Sequence, residues 1–407
     1  MSIRLRSWLQ LLALSLAHIM VDMVGGMLPA ILPAVREQHG LSLRAGVALV
    51  TILNLACNVA QLGTGPLRAR QARPLFIPLG LLLAGVFCLL GFVPAGVPAA
   101  FPLLAALLLV AGTGVAMVHP EALRGTHAIA AIPGAVSTPL FMVGGFFGFA
   151  AGAWLGALLV QRWGFGGLLA VWLPLLAAGV LVRATGVRLA VELGDAAANV
   201  APPPPVAAET TFGRAPASFW HLFAVATPLC SGAAIFVGLL ATRLKELQFS
   251  LAFGGFSSML YGFGTAAGAV GLGVLGRRFS APRLIKLALA AGLPVLAAYL
   301  LLLRHGAACW LAFPAGLLLG AGYPQLVALA RTAGNGPGLG MRMAWMVGGA
   351  WGAASLLLLA AGQLADRASV QAGLAAGWGC YAATLFLALL WLRTPRPARR
   401  QPARVRR

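Results

Sequence analysis

Apolar residues run along this chain in long blocks, separated by short polar punctuation that is mostly arginine. Twelve blocks stand out, with cores at 8–34, 44–64, 75–95, 100–124, 136–161, 166–185, 218–242, 252–275, 283–303, 307–330, 339–363 and 372–392. A helix needs roughly 20 apolar residues to cross a bilayer. Only helices and closed barrels satisfy their backbone polar groups in lipid, and a barrel would alternate apolar and polar positions over about ten residues. These blocks are continuously apolar. The pattern predicts an all-α polytopic membrane protein with twelve transmembrane helices.

Composition removes the competing classes. Hydrophobic types make up 60% of the 407 residues and charged types 9%, against about 25% charged in soluble domains. A water-soluble globule is excluded, and so is a disordered chain. The net charge of +21 comes from 29 basic and 8 acidic residues, a balance that in a soluble chain would suggest nucleic acid. Here the charges sit between apolar blocks and report topology. With the N-terminus inside, 22 of the 29 basic residues fall on the cytoplasmic side, so both termini are expected there. The final run, RTPRPARRQPARVRR, reads as a solvated topology anchor, with contact to anionic headgroups as the alternative. The first block follows Arg4 and Arg6 as a signal peptide would. It is too long, contains Asp22 and lacks a prompt small-residue cleavage site, so retention is expected.

The chain divides near its middle. Residues 186–217 form the longest hydrophilic stretch, with Pro202 to Pro205 in a row, and read as a cytoplasmic linker. The expected organisation is an N-terminal six-helix half (1–185), this linker, a C-terminal six-helix half (218–393) and a basic tail (394–407). An internal repeat supports the halves. Met142-Val143-Gly144-Gly145 recurs as Met346-Val347-Gly348-Gly349, and at the same offset Gly148 matches Gly352, Ala150 matches Ala354 and Pro120 matches Pro324. Two six-helix units in the same orientation are parallel repeats about an axis normal to the membrane.

Polar groups inside the spans are where chemistry is expected, because a mid-helix Asp costs about 2.5–3.5 kcal/mol on insertion scales. Asp22 lies near the middle of the first block and His18 one turn before it on the same face. An imidazole and a carboxylate at that spacing can share a proton; the alternative is a structural pair bonding a neighbouring helix. The fourth block carries His119-Pro120-Glu121, a second titratable cluster nearer the cytoplasmic end. In the second block Asn54, Asn58 and Gln61 form one polar stripe, suited to a substrate path or to helix–helix hydrogen bonding. Tyr323-Pro324-Gln325 replaces the titratable trio in the second half, and no acid lies inside a span there, since Glu246 and Asp366 fall at helix ends. The proton site is therefore expected in the first half. Neutral contacts are expected from Tyr323, Gln325 and Trp351.

Other residue types add less. Cys57, Cys88, Cys230, Cys309 and Cys380 lie in apolar segments without a CxxC pair and read as core residues, with a metal or redox role as the alternative. Met20, Met23, Met27, Met341, Met343 and Met346 read as core filling, or as ligands for a soft metal such as Cu(I). The glycine-rich fifth and eleventh blocks predict close helix packing and a place where the halves rock.

His18-x3-Asp22-x6-Pro29-x3-Pro33 resembles the first helix of fosmidomycin-resistance-type transporters, a branch of the major facilitator superfamily. The run from Gly112-Thr113-Gly114 to His119-Pro120-Glu121 is similar to that branch's fourth helix. GAGYPQLVALAR at 320–331, MVGGAWG at 346–352 and GQLAD at 362–366 resemble its tenth and eleventh. The resemblance implies a twelve-helix alternating-access fold in a bacterial inner membrane and proton-driven export of a small organic compound. It departs from the superfamily pattern G-x3-D-x2-G-R in the loop after the second helix. The loop begins at Gly65, with Ala69 at the acid position, Ala72 at the glycine and Arg73 kept; the matching loop at 273–281 has Arg277 at the acid position. The usual charge latch cannot form there. The arginine the family places mid-way along helix four is Leu108.

The reading that follows is a secondary transporter acting as a monomer. Asp22, His18, His119 and Glu121 would carry the proton, and Asn54, Asn58, Gln61, Tyr323, Gln325 and Trp351 would meet the substrate. Nothing in the sequence calls for catalytic residues, a cofactor, a resident metal or nucleic acid. Uptake of a metal ion or nutrient by the same fold is the alternative, with His18 and the methionines as ligands. A non-transporting sensor is a further one, suggested by the degenerate loop. Against an enzyme, there is no HExxH, no carboxylate pair within a span and no nucleophile elbow.

Overall fold

The computed structural model describes residues 2–191, 217–333 and 335–393; most of the expected linker and the basic tail lie outside them. Among the described residues every regular element is a helix. Eleven helices are long and apolar enough to cross a membrane, and a twelfth apolar segment, Phe76–Phe92, is shorter. In chain order the spans are α1 (Ile3–His39), α2 (Leu43–Arg68), α3 (Phe76–Phe92), α4 (Ala100–His127), α5 (Gly134–Trp163), α6 (Phe165–Ala184), α7 (Phe219–Glu246), α8 (Leu251–Leu275), α9 (Ala281–Leu301), α10 (Gly306–Thr332), α11 (Leu339–Arg367) and α12 (Val370–Trp391). The chain is a multi-pass membrane protein.

The helix pairings repeat. In the first half α1 packs on α5 and α6, α2 on α4, and α3 on α4 and α6. The second half makes the same set: α7 on α11 and α12, α8 on α10, and α9 on α10 and α12. Six spans each return the chain to the face it left. The start of α1, the end of α6, the start of α7 and the end of α12 therefore share one face, called here the terminal face; the opposite one is the far face.

α1 is the centre of the first half. It has 37 residues, about 55 Å at 1.5 Å per residue, well beyond a hydrocarbon core of about 30 Å. Ser2 caps its start by accepting from the Leu5 N–H, and Gly40 ends it with φ +62°, a left-handed conformation that glycine adopts without strain. Pro29 and Pro33 lie inside it. In its most apolar stretch 72% of residues are buried inside protein, so it touches little lipid.

The glycines of α5 make this possible. A Cβ at Gly148 would strike the main chain of Ile19, and one at Gly152 the main chain of Met23. Gly26 of α1 answers in kind, lying against the Phe149 carbonyl. Backbones can approach this closely only where no side chain intervenes. The repeat predicts the same packing for α11, and there the structure differs. Residues Trp345–Gly349 form a π-turn, Gly352 meets no neighbour, and Gly348 lies beside Leu62 and the Asn58 carbonyl of α2.

The halves meet along α5–α8, α2–α11 and α1–α7. Their polar contacts lie toward the far face. The Thr51 hydroxyl donates to the Ser355 carbonyl (3.3 Å), the Arg44 N–H to Asp366 (3.3 Å) and the Ala252 N–H to the Gln161 side chain (2.8 Å). Lys245 and Glu37 approach to 3.9 Å. Gly271 and Gly273, near the terminal-face end of α8, meet nothing. Among the described residues the halves share no hydrogen bond or ion pair on that face, and this conformation is closed on the far face.

Two alanine substitutions separate packing from propensity. Gly148→Ala is expected to lower stability by about 1–3 kcal/mol, because its new methyl meets backbone that cannot yield. Gly352→Ala, into open space, is expected to raise it by up to about 1 kcal/mol. Thermal unfolding of the purified variants checks both signs.

Candidate functional site

α1, α4 and α5 bring three titratable groups together at mid-bundle. An Asp22 oxygen, Oδ2, lies 3.2 Å from His18 Nε2, one turn away on α1. The other, Oδ1, lies 3.0 Å from His119 Nε2 on α4. His18 stacks on Phe141 of α5 and meets His119 edge-on, with ring centroids 4.2 and 5.0 Å away. Its side chain is 5% exposed, whereas Asp22 and His119 are 23% and 22% exposed, so the cluster is open on one side only. A side chain at Gly145 of α5 would fall on Asp22 and His18, so this glycine leaves the space the pair occupies.

The far nitrogens fix the hydrogen positions. His18 Nδ1 lies 2.9 Å from the Phe141 carbonyl and His119 Nδ1 2.9 Å from the Val115 carbonyl. A carbonyl only accepts, so each Nδ1 carries a hydrogen and donates it. A neutral ring in that tautomer turns a lone pair on Nε2 toward the carboxylate. Two short Nε2···O contacts therefore require two further protons. Drawn with them, the trio holds one positive charge, whichever group is written as the acid.

Pro120 ties α4 to α2. It has no N–H, so the Ala116 carbonyl one turn earlier loses its helical donor. The Thr64 hydroxyl of α2 donates to that carbonyl at 3.3 Å. On the same helix, Gln61 donates to Cys57 Sγ (3.3 Å) and Asn58 to the Asn54 carbonyl (2.8 Å). The polar stripe is half-buried, and two of its amides serve their own helix.

Glu121 stands apart from the trio, which corrects its pairing with His119. Its carboxylate is buried, 2.6 Å from Arg68 Nε, and its second oxygen accepts the N–H groups of Phe76 (2.7 Å) and Ile77 (3.2 Å) at the start of α3. One turn on, Arg124 donates to the carbonyls of Arg68, Ala69 and Gln71 at the end of α2, and to Ala190. An acid at a helix start and a base at a helix end both suit the helix dipole. Glu121 and Arg124 thus hold the α2–α3 loop in place without the acid missing at Ala69. The backbone of 189–190 docks here too, Leu189 donating to the Ala72 carbonyl and Ala190 to that of Arg124.

In the second half Tyr323 donates to the Met346 carbonyl inside the π-turn (3.1 Å) and meets Trp351 edge-on. Gln325 is buried beside Gly276 at the end of α8. Tyr261 and Tyr381 share a short buried hydrogen bond that the sequence reading did not single out. Met20, Met23 and Met27 are buried core residues.

Among the described residues only His18, Asp22 and His119 gather donor atoms of three such side chains within 4.8 Å of one another. A doubly charged cation is the chemical alternative to the two protons.

Comparison with known proteins places this geometry in context. A family model described as Major Facilitator Superfamily matches residues 14–332. The chain is 29% identical over 156 residues to the fosmidomycin resistance protein of Escherichia coli K12, covering 38% of the chain and 37% of that relative. It is 27% identical over 168 residues to YfnC, an MFS-type transporter of Bacillus subtilis 168, covering 41% and 40%. The chain thus spans under half the length of these curated relatives. Similar solved structures include a bacterial homologue of the human lysosomal transporter Spinster, inward-facing and unoccupied (TM-score 0.66, 15% identity, 95% of each chain). The nucleoside transporter NupG is another (TM-score 0.68, 11% identity, 96% of this chain and 100% of that one). At these identities the likeness is one of fold.

Glu121→Ala is expected to cost about 2–3 kcal/mol, since it strands Arg68 and two N–H groups. A thermal melt measures this. Labelling of thiols placed in the α2–α3 loop should rise together with the loss.

Proposed function

The chain belongs to the Major Facilitator Superfamily, and on that premise we propose that it is a secondary active transporter exporting a small organic compound in exchange for protons. The observation that carries the proposal is the bridging of two histidines by Asp22. The trio as drawn needs two protons in its Nε2···O contacts. Removing one leaves a lone pair facing a carboxylate oxygen at about 3 Å, which is repulsive. Loss of that proton frees His119, and with it α4, from α1. Gain of a proton draws them together again. A cluster whose shape follows its proton count can bias a two-state bundle.

The substrate would sit between the halves at mid-membrane, against Asn54, Asn58, Gln61, Tyr323 and Trp351. Gln325 would support that wall from behind, and Glu121 would serve the loop fixture instead of the proton path. The export direction is supported by the relative named for fosmidomycin resistance. Orientation rests on the 22 basic residues: both termini cytoplasmic, in a bacterial inner membrane, with one chain sufficient. The alternative cargo is a divalent metal ion at the trio.

The experiment follows proton movement by purified protein in liposomes while drug-like compounds, and separately divalent metals and Cu(I), are supplied. A substrate of the wild type should move protons. Asp22→Asn should reduce that movement at least tenfold and flatten the pH dependence of transport. Unchanged transport with unchanged pH dependence would remove the coupling role from Asp22. Metal transport lost on His119→Gln would replace the organic substrate with a metal.

A further inference from the structure

The trio holds its two histidines as metal-binding histidines are held. Each donates its Nδ1–H to a main-chain carbonyl, His18 to Phe141 and His119 to Val115, both at 2.9 Å. Outer-shell bonds of this kind fix the tautomer and the ring orientation, and they leave the Nε2 lone pair as the ligand. Both Nε2 atoms face the Asp22 carboxylate, at 3.2 and 3.0 Å. The donor atoms of the three side chains all lie within 4.8 Å of one another. Ligands around a tetrahedral zinc, with bonds of about 2.0–2.1 Å, stand about 3.3 Å apart, so the cluster needs to close by at most about 1.5 Å.

The donor set selects the ion. Two imidazoles and one carboxylate suit zinc, cobalt or nickel. Magnesium and calcium call for shells built mainly of oxygen, and Cu(I) for sulfur, which is not among the three donors. Asp22 and His119 are partly exposed, which leaves a fourth position for water. A doubly charged ion with one carboxylate and two neutral rings carries one net positive charge. The two-proton form of the trio carries the same charge and makes the same bridges. One ion therefore replaces two protons with little change in the charge or outline of the site.

Such an ion has nowhere to go. Two of its ligands are on α1 and one on α4, all in the first half. The second half's acids among the described residues, Glu246 and Asp366, lie at helix ends, and its histidines, His221 and His305, lie at the start of α7 and beyond the end of α9. No charged donor of that half stands at mid-bundle to receive the ion when the halves rock. We propose that the trio is an inhibitory site for a zinc-class divalent ion, which bridges α1 to α4 in place of two protons and holds the conformation closed on the far face. Its inhibitory part rests on the proton-exchange reading; the binding itself does not.

The test uses the purified full chain without added histidines. Cobalt(II) should bind at one ion per chain with the visible absorption of a four- or five-coordinate ion, and zinc(II) should displace it. Asp22→Asn and His119→Gln should each weaken binding about tenfold or more. Zinc should raise the unfolding temperature of the wild type and leave that of His119→Gln unmoved. Spin labels on Gln38 and Ala368, on opposite halves of the far face, report open and closed populations by pulsed dipolar spectroscopy once Cys57 and Cys380 are replaced by alanine. Zinc should raise the closed-to-open ratio about threefold or more in the wild type and not in His119→Gln. Binding that survives both substitutions, or no binding at all, overturns the proposal. So does binding at the trio that leaves the populations unmoved. Zinc entering liposomes through the wild type but not through His119→Gln, read by an enclosed zinc dye, makes the ion cargo and overturns it too. The two substitutions lie on different helices, so either carries the test if the other variant does not fold. Failure of the proton-exchange reading shows separately, as transport whose pH dependence ignores Asp22→Asn whatever the metal binding does.

Discussion

A carboxylate in the middle of an apolar helix must be neutralised where it stands, and this requirement organises the first half of the molecule. Asp22 takes one histidine from its own helix and one from α4. To receive them α1 must lie deep in the bundle, and it does so only because α5 offers glycines in place of side chains. Gly145 leaves room for the Asp22–His18 pair, while Gly148 and Gly152 admit the backbone of α1. Burial of the charge and close packing of the helix are one arrangement. Neither half of it is stable alone, because a loosely packed α1 would expose Asp22 to lipid and an unpaired Asp22 would not tolerate close packing.

The same economy governs the terminal face. The superfamily's loop acid is absent, yet the α2–α3 loop is well held. Glu121 and Arg124, one turn apart, grip the start of α3 and the end of α2. The load has moved from the loop to the end of α4. Among the described residues no hydrogen bond or ion pair links that loop to the second half. The loop is fastened within its own half, so the two faces of the bundle differ in kind.

Much of this was legible in the sequence. Blocks of apolar residues located all twelve spans, because hydrophobic length is a direct image of bilayer thickness. The ends were less legible: α1 runs from Ile3 to His39 where the apolar core spans 8–34, since a helix continues into water wherever capping residues permit. The third span is shorter than its apolar block, and its second part, Gly85–Phe92, winds as a 3-10 helix. His18 and Asp22 were legible as a pair through their spacing of four. His119 was legible as a titratable residue of the fourth block, but its bond to Asp22 joins residues 97 apart, and no periodicity encodes that. Glu121 was misplaced for the same reason. Its partner Arg68 is 53 residues away, and its neighbour His119 merely shares its stretch of helix.

The π-turn at Trp345–Gly349 has a consequence for how the two halves compare. A turn closed by an i→i+5 bond takes up one residue more than an α-turn. Everything after it is rotated by about 100° relative to an unbroken helix. The sequence repeat therefore stays in step through 349 while the structure falls out of phase. Gly352 aligns with Gly148, but one meets nothing and the other abuts a backbone. Beyond that turn the halves are homologous by letter and not by direction. A chimera that copied α5 into the place of α11 would present the wrong face to α2, however well the two sequences matched.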